Sequence, residues 1–254
     1  MRLEEKVAVI TGGASGMGKA TALLFAKEGA KVVVSDINEQ GGESVVEEIR
    51  KKGSDAIFVY ADVAEEESVK NMIRKTVERY GTLDVLFNNA GIPSPLIKTT
   101  DITVKVWDRM MAVNQRGVFL GCKYAVPVML KNEGGSIINT ASGSGLRGDT
   151  LHAHYSVSKG GVVLFTKALA KEVAPHNIRV NCVCPGIIDT PMSLRFTEGG
   201  DRPSEKLQEE TIQRIPLGRL GTPEEVASVV LFLASEESSY VTGAALPVEG
   251  GLLA

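Results

Sequence analysis

Cysteine is scarce in this chain of 254 residues: only Cys122, Cys182 and Cys184 are present. An odd number, two of them in a Cys-Val-Cys step, makes neither a disulfide framework nor a zinc ribbon. Buried, reduced thiols are the reading left, as a reducing cytoplasm keeps them. No stretch approaches the ~20 apolar residues that span a bilayer. The opening Met1-Arg2-Leu3-Glu4-Glu5-Lys6 is too charged for a secretory leader. A cytoplasmic protein with no membrane partner is expected. Positive charge is not in excess either, since 28 Lys and Arg face 31 Asp and Glu, for a net charge of -3. No basic stripe follows a helix, so nucleic acid is not an expected partner. There is no Pro/Gly/Ser linker and no repeat at a solenoid period, so residues 1–254 are read as one domain. The single tryptophan, Trp107, lies beside Met110 and Met111 and is read as core or interface packing.

What is present is an alternation. The chain is 43% hydrophobic and 23% charged, ordinary for a globular protein, and long enough to bury a large core. Short Val/Ile-rich runs at 7–10, 31–35, 56–60, 85–87, 136–140, 179–183 and 244–248 are separated by stretches of helical period. Several runs are almost wholly apolar, which suits strands covered on both faces. Residues 38–52 show a helix with both ends marked: Glu47 and Glu48 precede Lys51 and Lys52 by four, and Gly53 stops it. Together these predict an α/β fold, a doubly wound parallel sheet of about seven strands with helices on both faces. Ligands of such sheets bind in the crevice at the carboxyl ends of the strands. Residues 186–214 break the rhythm, with Thr190-Pro191, Gly199-Gly200 and Arg202-Pro203 and only a weak helical run near 204–213. A long irregular insertion of this kind is read as a lid over the substrate.

The first strand runs directly into Thr11-Gly12-Gly13-Ala14-Ser15-Gly16-Met17-Gly18 and then a helix. The glycine spacing is longer than G-x-G-x-x-G, but the physics is shared. Glycines let the backbone turn sharply against a pyrophosphate, and the helix that follows offers free N–H groups at its positive end. Asp36 ends the second strand. A carboxylate there accepts from adenosine ribose hydroxyls and repels a 2′-phosphate, and neither Ser15 nor Ile37 supplies a cation to offset it. The cofactor expected is therefore NAD. Asp62-Val63 closes the third strand, where it can meet the adenine edge.

A second constellation is Tyr155-Ser156-Val157-Ser158-Lys159 at the start of a helix. Residues four apart share a face, so both side chains can point into one site. A tyrosine of pKa ~10 is a poor acid or base at neutral pH, and a nearby ammonium brings it toward the working range. No histidine, cysteine or carboxylate set has metal spacing. His152 and His154, which flank this motif, are read as pocket wall or surface.

The glycine loop, Asn88-Asn89-Ala90-Gly91, Asn114, Ser142, Tyr155-x-x-x-Lys159 and Pro185-Gly186-x-x-x-Thr190, in that order, resemble the single-domain short-chain dehydrogenases/reductases. So does the tail, with Pro223-Glu224-Glu225-Val226-Ala227, Val241-Thr242-Gly243 and Glu249-Gly250-Gly251. Glu249 stands where relatives commonly carry aspartate. The resemblance implies a Rossmann-type fold, a hydride passed between NAD and a secondary alcohol or ketone, and a homotetramer. It implies Tyr155 as general acid/base, Lys159 on the nicotinamide ribose, and Ser142 on the substrate oxygen, with Ser144 a second hydroxyl nearby. Asn114 would keep a bend in its helix and place a water linking Lys159 to solvent. Asn89 and Gly91 would line the cofactor cleft, and Pro185, Gly186, Ile188 and Thr190 would contact the nicotinamide. The pocket would be walled by residues 92–96 and 143–151 and by the insertion, where Leu194 and Phe196 are apolar. An NADPH-dependent 3-oxoacyl-thioester reductase is the alternative in the same class, and a nucleotide-binding sensor without turnover the alternative outside it.

Overall fold

The computed structural model describes residues 1–193 and 205–254, with side chains at 205–208 set aside. Seven parallel strands form one sheet in the order β3-β2-β1-β4-β5-β6-β7: β1 (Val7–Thr11), β2 (Lys31–Asp36), β3 (Ala56–Tyr60), β4 (Val85–Asn88), β5 (Gly135–Thr140), β6 (Ile178–Pro185) and β7 (Ala245–Val248). The helices between them are α1 (Gly16–Lys27), α2 (Glu39–Lys51), α3 (Glu66–Tyr80), α4 (Val104–Met111), α5 (Gly117–Lys131), α6 (Ser144–Arg147), α7 (Ala153–Val173), α8 (Glu205–Gln213) and α9 (Pro223–Ala234).

The inner strands are mostly apolar because both of their faces are covered, and the polar residues they do carry, such as Asn88 and Asn139, are hydrogen-bonded to each other. Side chains alternate across the sheet, so Ala8, Ile10, Val32 and Val34 meet Phe25 of α1, Ile49 of α2 and Val230 of α9 on one side. Val9 and Val33 look the other way, into a core with Met72 of α3, Ala125 of α5 and Val162 of α7. All five positions of β1 are buried, as an inner strand of a sandwich of layers should be. Local signals fix the helix ends. Asn38 caps α2 by accepting from the Gly41 N–H, Gly81 ends α3 with φ 81°, and Thr222 and Glu225 form a capping box on α9.

Asn114 lies in a π-helical turn at Ala112–Arg116 that joins α4 to α5. One strand boundary changes. The sixth strand runs to Pro185 rather than 183, still pairing with β7 at its last residue. The weak helical run near 204–213 is α8, whereas Leu194, Phe196 and the rest of the expected lid at 194–204 lie outside the described residues. Among the described residues, no helix is long and apolar enough to cross a membrane.

Candidate active site

The strand order reverses between β1 and β4, which diverge toward helices on opposite faces and leave a crevice at their carboxyl ends. The glycine loop sits there. Gly12 has φ 65° and a Cβ on it would come within 2.9 Å of the Ala90 Cα; a Cβ on Gly18 would stand 2.1 Å from the Gly12 carbonyl oxygen. No side chain fits at either place, so strand, loop and helix α1 close on one another. Asn89 stitches the crevice: its Nδ2 donates to the carbonyls of Thr11 (3.0 Å) and Gly12 (3.3 Å). Thr11 Oγ1 in turn accepts from the Asn89 and Ala90 N–H groups. The Asn89 Oδ1 is buried and has no partner among the described residues, an acceptor left over for something in the cleft.

Ser15 is the N-cap of α1 without a side-chain cap, Met17 packs on the core beneath, and Gly16 faces Thr190 across the crevice. The Asp36 carboxylate is aimed by two backbone donors, Ala14 N–H at 3.1 Å and Asn38 N–H at 2.9 Å. Ile37 beside it is exposed. At the end of β3, Asp62 accepts from the Ala64 N–H, and Val63 is buried against Gly117. On the far side, Gly186 donates its N–H to the Val248 carbonyl, Ile188 is buried and bridges to Gly221, and the Thr190 hydroxyl accepts from the Ser193 N–H while the Thr190 N–H donates to Ser193 Oγ. These residues fit an extended dinucleotide: a cradle with no room for side chains, a helix N-terminus, an oriented carboxylate and an unpaired acceptor.

The second constellation meets at the same edge. Tyr155 and Lys159 are both buried on the first turns of α7. Lys159 Nζ donates to the Thr140 carbonyl at 2.8 Å and lies 5.9 Å from the centre of the Tyr155 ring. Burial pushes the Lys159 pKa down to about 8. Burial also raises the Tyr155 pKa, and a hydrogen bond with Ser142 partly offsets that. The lysine therefore reaches the strand carbonyl in this structure, and it is Ser142 that eases ionisation of the phenol. Ser142 rather than Ser144 is the hydroxyl on the tyrosine, because Ser144 Oγ is engaged by Asp149. Asn114 is fully buried in the π turn. Its Oδ1 accepts from the Ile92 N–H at 2.8 Å and its Nδ2 donates to the Ile92 carbonyl at 3.2 Å. A Cβ on Gly91 would meet both Asn114 and Lys159.

Sequence reasoning overlooked the clamp from Thr11 to Asn89, the Thr140 acceptor and the pair of hydrogen bonds between Asn114 and Ile92. Only the first had a signal, Thr11 standing at the head of the glycine loop. Gly160 and Gly161 of α7 admit groups of the same chain, Gly145 against Gly160 and Gln115 against Gly161. His154 is buried and Trp107 half-exposed.

A nucleotide cradle beside a serine, tyrosine and lysine set on a parallel sheet defines an oxidoreductase of the Rossmann class. Residues 12–253 match a family model described as enoyl-(acyl carrier protein) reductase. The 3-oxoacyl-[acyl-carrier-protein] reductase of Thermotoga maritima is 46% identical over 253 residues, covering 100% of both chains. The 2,5-dichloro-2,5-cyclohexadiene-1,4-diol dehydrogenase of Sphingobium indicum is 44% identical over 98% of this chain and 97% of its own. The solved structure of levodione reductase superposes with a TM-score of 0.94 at 36% identity, covering 98% of each chain. The chain belongs to the short-chain dehydrogenase/reductase family and is an oxidoreductase of that family, using a nicotinamide cofactor.

Proposed function

We propose that this enzyme passes a hydride between NAD and a secondary alcohol or its ketone, with Tyr155 as general acid/base. The observation that carries the reading is the buried Tyr155 hydroxyl, hydrogen-bonded to Ser142 one turn away from the buried Lys159 ammonium. A bound nicotinamide supplies the hydride acceptor or donor. The chain supplies the proton path and the geometry. In oxidation, Tyr155 Oη takes the proton of the alcohol as the hydride leaves, and Ser142 Oγ holds the substrate oxygen. Proton transfer by a positioned group contributes typically 10²–10⁴-fold. Lys159 stays charged below pH about 8, and its ammonium, 5.9 Å from the centre of the Tyr155 ring, would favour phenolate alongside Ser142. Gly12, Ser15, Gly16, Met17 and Gly18 hold the pyrophosphate, and Asp36 takes the adenosine ribose. Asp62 and Val63 border the adenine, while Asn89, Gly91, Pro185, Gly186, Ile188 and Thr190 line the nicotinamide side.

The choice of NAD rests on Asp36. Its carboxylate is fixed by two backbone N–H groups at the end of β2, where it would accept from an adenosine ribose and repel a 2′-phosphate. The Sphingobium relative named for a cyclic diol, and the structural neighbour named for levodione, favour a ring-bearing alcohol or ketone. The Thermotoga relative favours a second reading, reduction of a 3-oxoacyl thioester. One experiment separates them: cyclic and open-chain secondary alcohols with NAD, and a 3-oxoacyl thioester with NADPH, followed at the nicotinamide absorbance. Turnover of the thioester alone would replace the first reading with the second.

A further inference from the structure

The residue before the tyrosine is a histidine that water does not reach. His154 is 0% exposed and Ser94, across from it, 1%. The His154 Nε2 lies 3.2 Å from the Ser94 Oγ. The serine hydroxyl has a single hydrogen, and it is donated to the Pro95 carbonyl at 3.0 Å. The imidazole must then be the donor to Ser94, so Nε2 carries the proton and Nδ1 is a bare lone pair. That Nδ1 is buried without a hydrogen-bond partner among the described residues. Burial pushes the pKa of His154 down, and His152 adds to the effect. A proton on Nδ1 would be a buried donor with no acceptor. The ring is neutral and in one tautomer.

Ser94 belongs to the segment that leaves β4, and that segment is tied down along its length. Asn114 holds Ile92 by its N–H and its carbonyl. The Ile97 N–H donates to the Leu151 carbonyl at 3.0 Å. Leu151 keeps φ 63°, a left-handed conformation that a bulky residue holds only when its surroundings require it. Pro93 and Pro95 flank Ser94 and restrict the backbone on either side. The segment starts at Gly91, where a Cβ would be 3.6 Å from Lys159 Nζ, and its middle lands on the neighbour of Tyr155. It therefore borders the reacting end of the site.

We propose that the His154–Ser94 hydrogen bond is a latch holding residues 92–97 as a wall of the substrate site, so that His154 is a positioning residue for substrate affinity. It rests on the reading of this site as one for alcohols and ketones. A ring that merely filled space would be replaced by phenylalanine without effect. A latch would not, because phenylalanine leaves the Ser94 oxygen with one partner fewer inside the protein.

The test uses His154→Phe, Ser94→Ala, the double variant, and His154→Gln, whose terminal amide nitrogen reaches the position of Nε2. KM and kcat are measured for the cyclic secondary alcohol that the unmodified enzyme oxidises fastest, and NADH affinity by its fluorescence. His154→Phe and Ser94→Ala should each raise the alcohol KM about five- to tenfold, the scale of one neutral hydrogen bond. NADH affinity and kcat should stay within about twofold, the double variant should be no worse than either single one, and His154→Gln should restore KM. An unchanged KM in His154→Phe, an equal loss of NADH affinity, or effects that multiply would overturn the latch. If the unmodified protein oxidises no alcohol, the substrate reading has failed by itself, and hydrogen exchange at the Ile97 amide decides. Faster exchange in His154→Phe and Ser94→Ala, but not in His154→Gln, supports the latch, and unchanged exchange removes it.

Discussion

The Lys159 ammonium reaches past the Tyr155 ring to the Thr140 carbonyl, 2.8 Å away at the end of β5. A buried lysine with its pKa at about 8 binds fewer protons than the same lysine in an unfolded chain, whose pKa is near 10.4. The unfolded state holds the extra proton between these values, so the term Lys159 adds to stability rises with pH across that window. Below it, the protein carries the full cost of the buried charge. Unfolding free energies of the native protein and Lys159→Met, compared at pH 7 and pH 9.5, should show the native protein gaining about 2 kcal/mol relative to the variant. A flat difference would mean that Lys159 keeps an ordinary pKa.

Tyr155→Phe removes the proton carrier and leaves the ring packing. Turnover should fall at least ~10²-fold while NADH still binds. Stopped-flow measurement of single turnovers checks this, and near-native rates would take Tyr155 out of the proton step.

Cofactor choice should follow the charge at the end of β2. With Asp36 aimed by two N–H donors and no cation at Ser15 or Ile37, kcat/KM should favour NAD by ~10²-fold, about 3 kcal/mol. Asp36→Ala with Ile37→Arg should narrow or reverse that ratio, because a guanidinium pairs with phosphate where a carboxylate repelled it. Equal kcat/KM for the two cofactors in the unmodified enzyme would remove the role given to Asp36.

A groove of about 830 Å³ runs along α4, the π turn, α5 and α7, lined by Lys105, Arg109, Gln115, Phe119 and Phe165. Phe119 is 45% exposed at its edge and Leu164 69% exposed nearby on α7. Exposed apolar side chains on a helical face suit pairing with a second copy. We expect a homotetramer with two-fold axes, one of them across this face. Sedimentation at micromolar concentration should give four chains, and Phe119→Glu a smaller species. A monomer of the unmodified chain would sink this expectation.

The sheet was legible because its physics is local. A strand buried on both faces is apolar at most steps, so Val7, Ala8, Val9 and Ile10 announce themselves. The cradle was legible for a related reason, since backbones that approach as closely as Gly18 and Gly12 exclude every side chain. The π turn at Ala112–Arg116 was not legible from the residue pattern, because its residues suit an α-helix; only the resemblance put a bend at Asn114, which here bonds to Ile92. The partner of His154 was equally hidden. It lies 60 residues away, and although residues 92–96 were expected to wall the pocket, nothing in the sequence pairs Ser94 with the imidazole.

The strand order has a consequence for how such a chain is made. Starting from β1, the sheet grows first to one side through β2 and β3, then to the other through β4, β5, β6 and β7. Every strand therefore joins an edge that already exists when it leaves the ribosome, and none has to be inserted between two partners already joined. On the reading proposed above, the adenosine end would be framed by residues up to Val63, whereas Tyr155 and the stretch from Gly186 to Thr190 arrive much later. A partly synthesised chain can thus shape a nucleotide seat without any means of turning over what sits there, and competence comes only with the last strands.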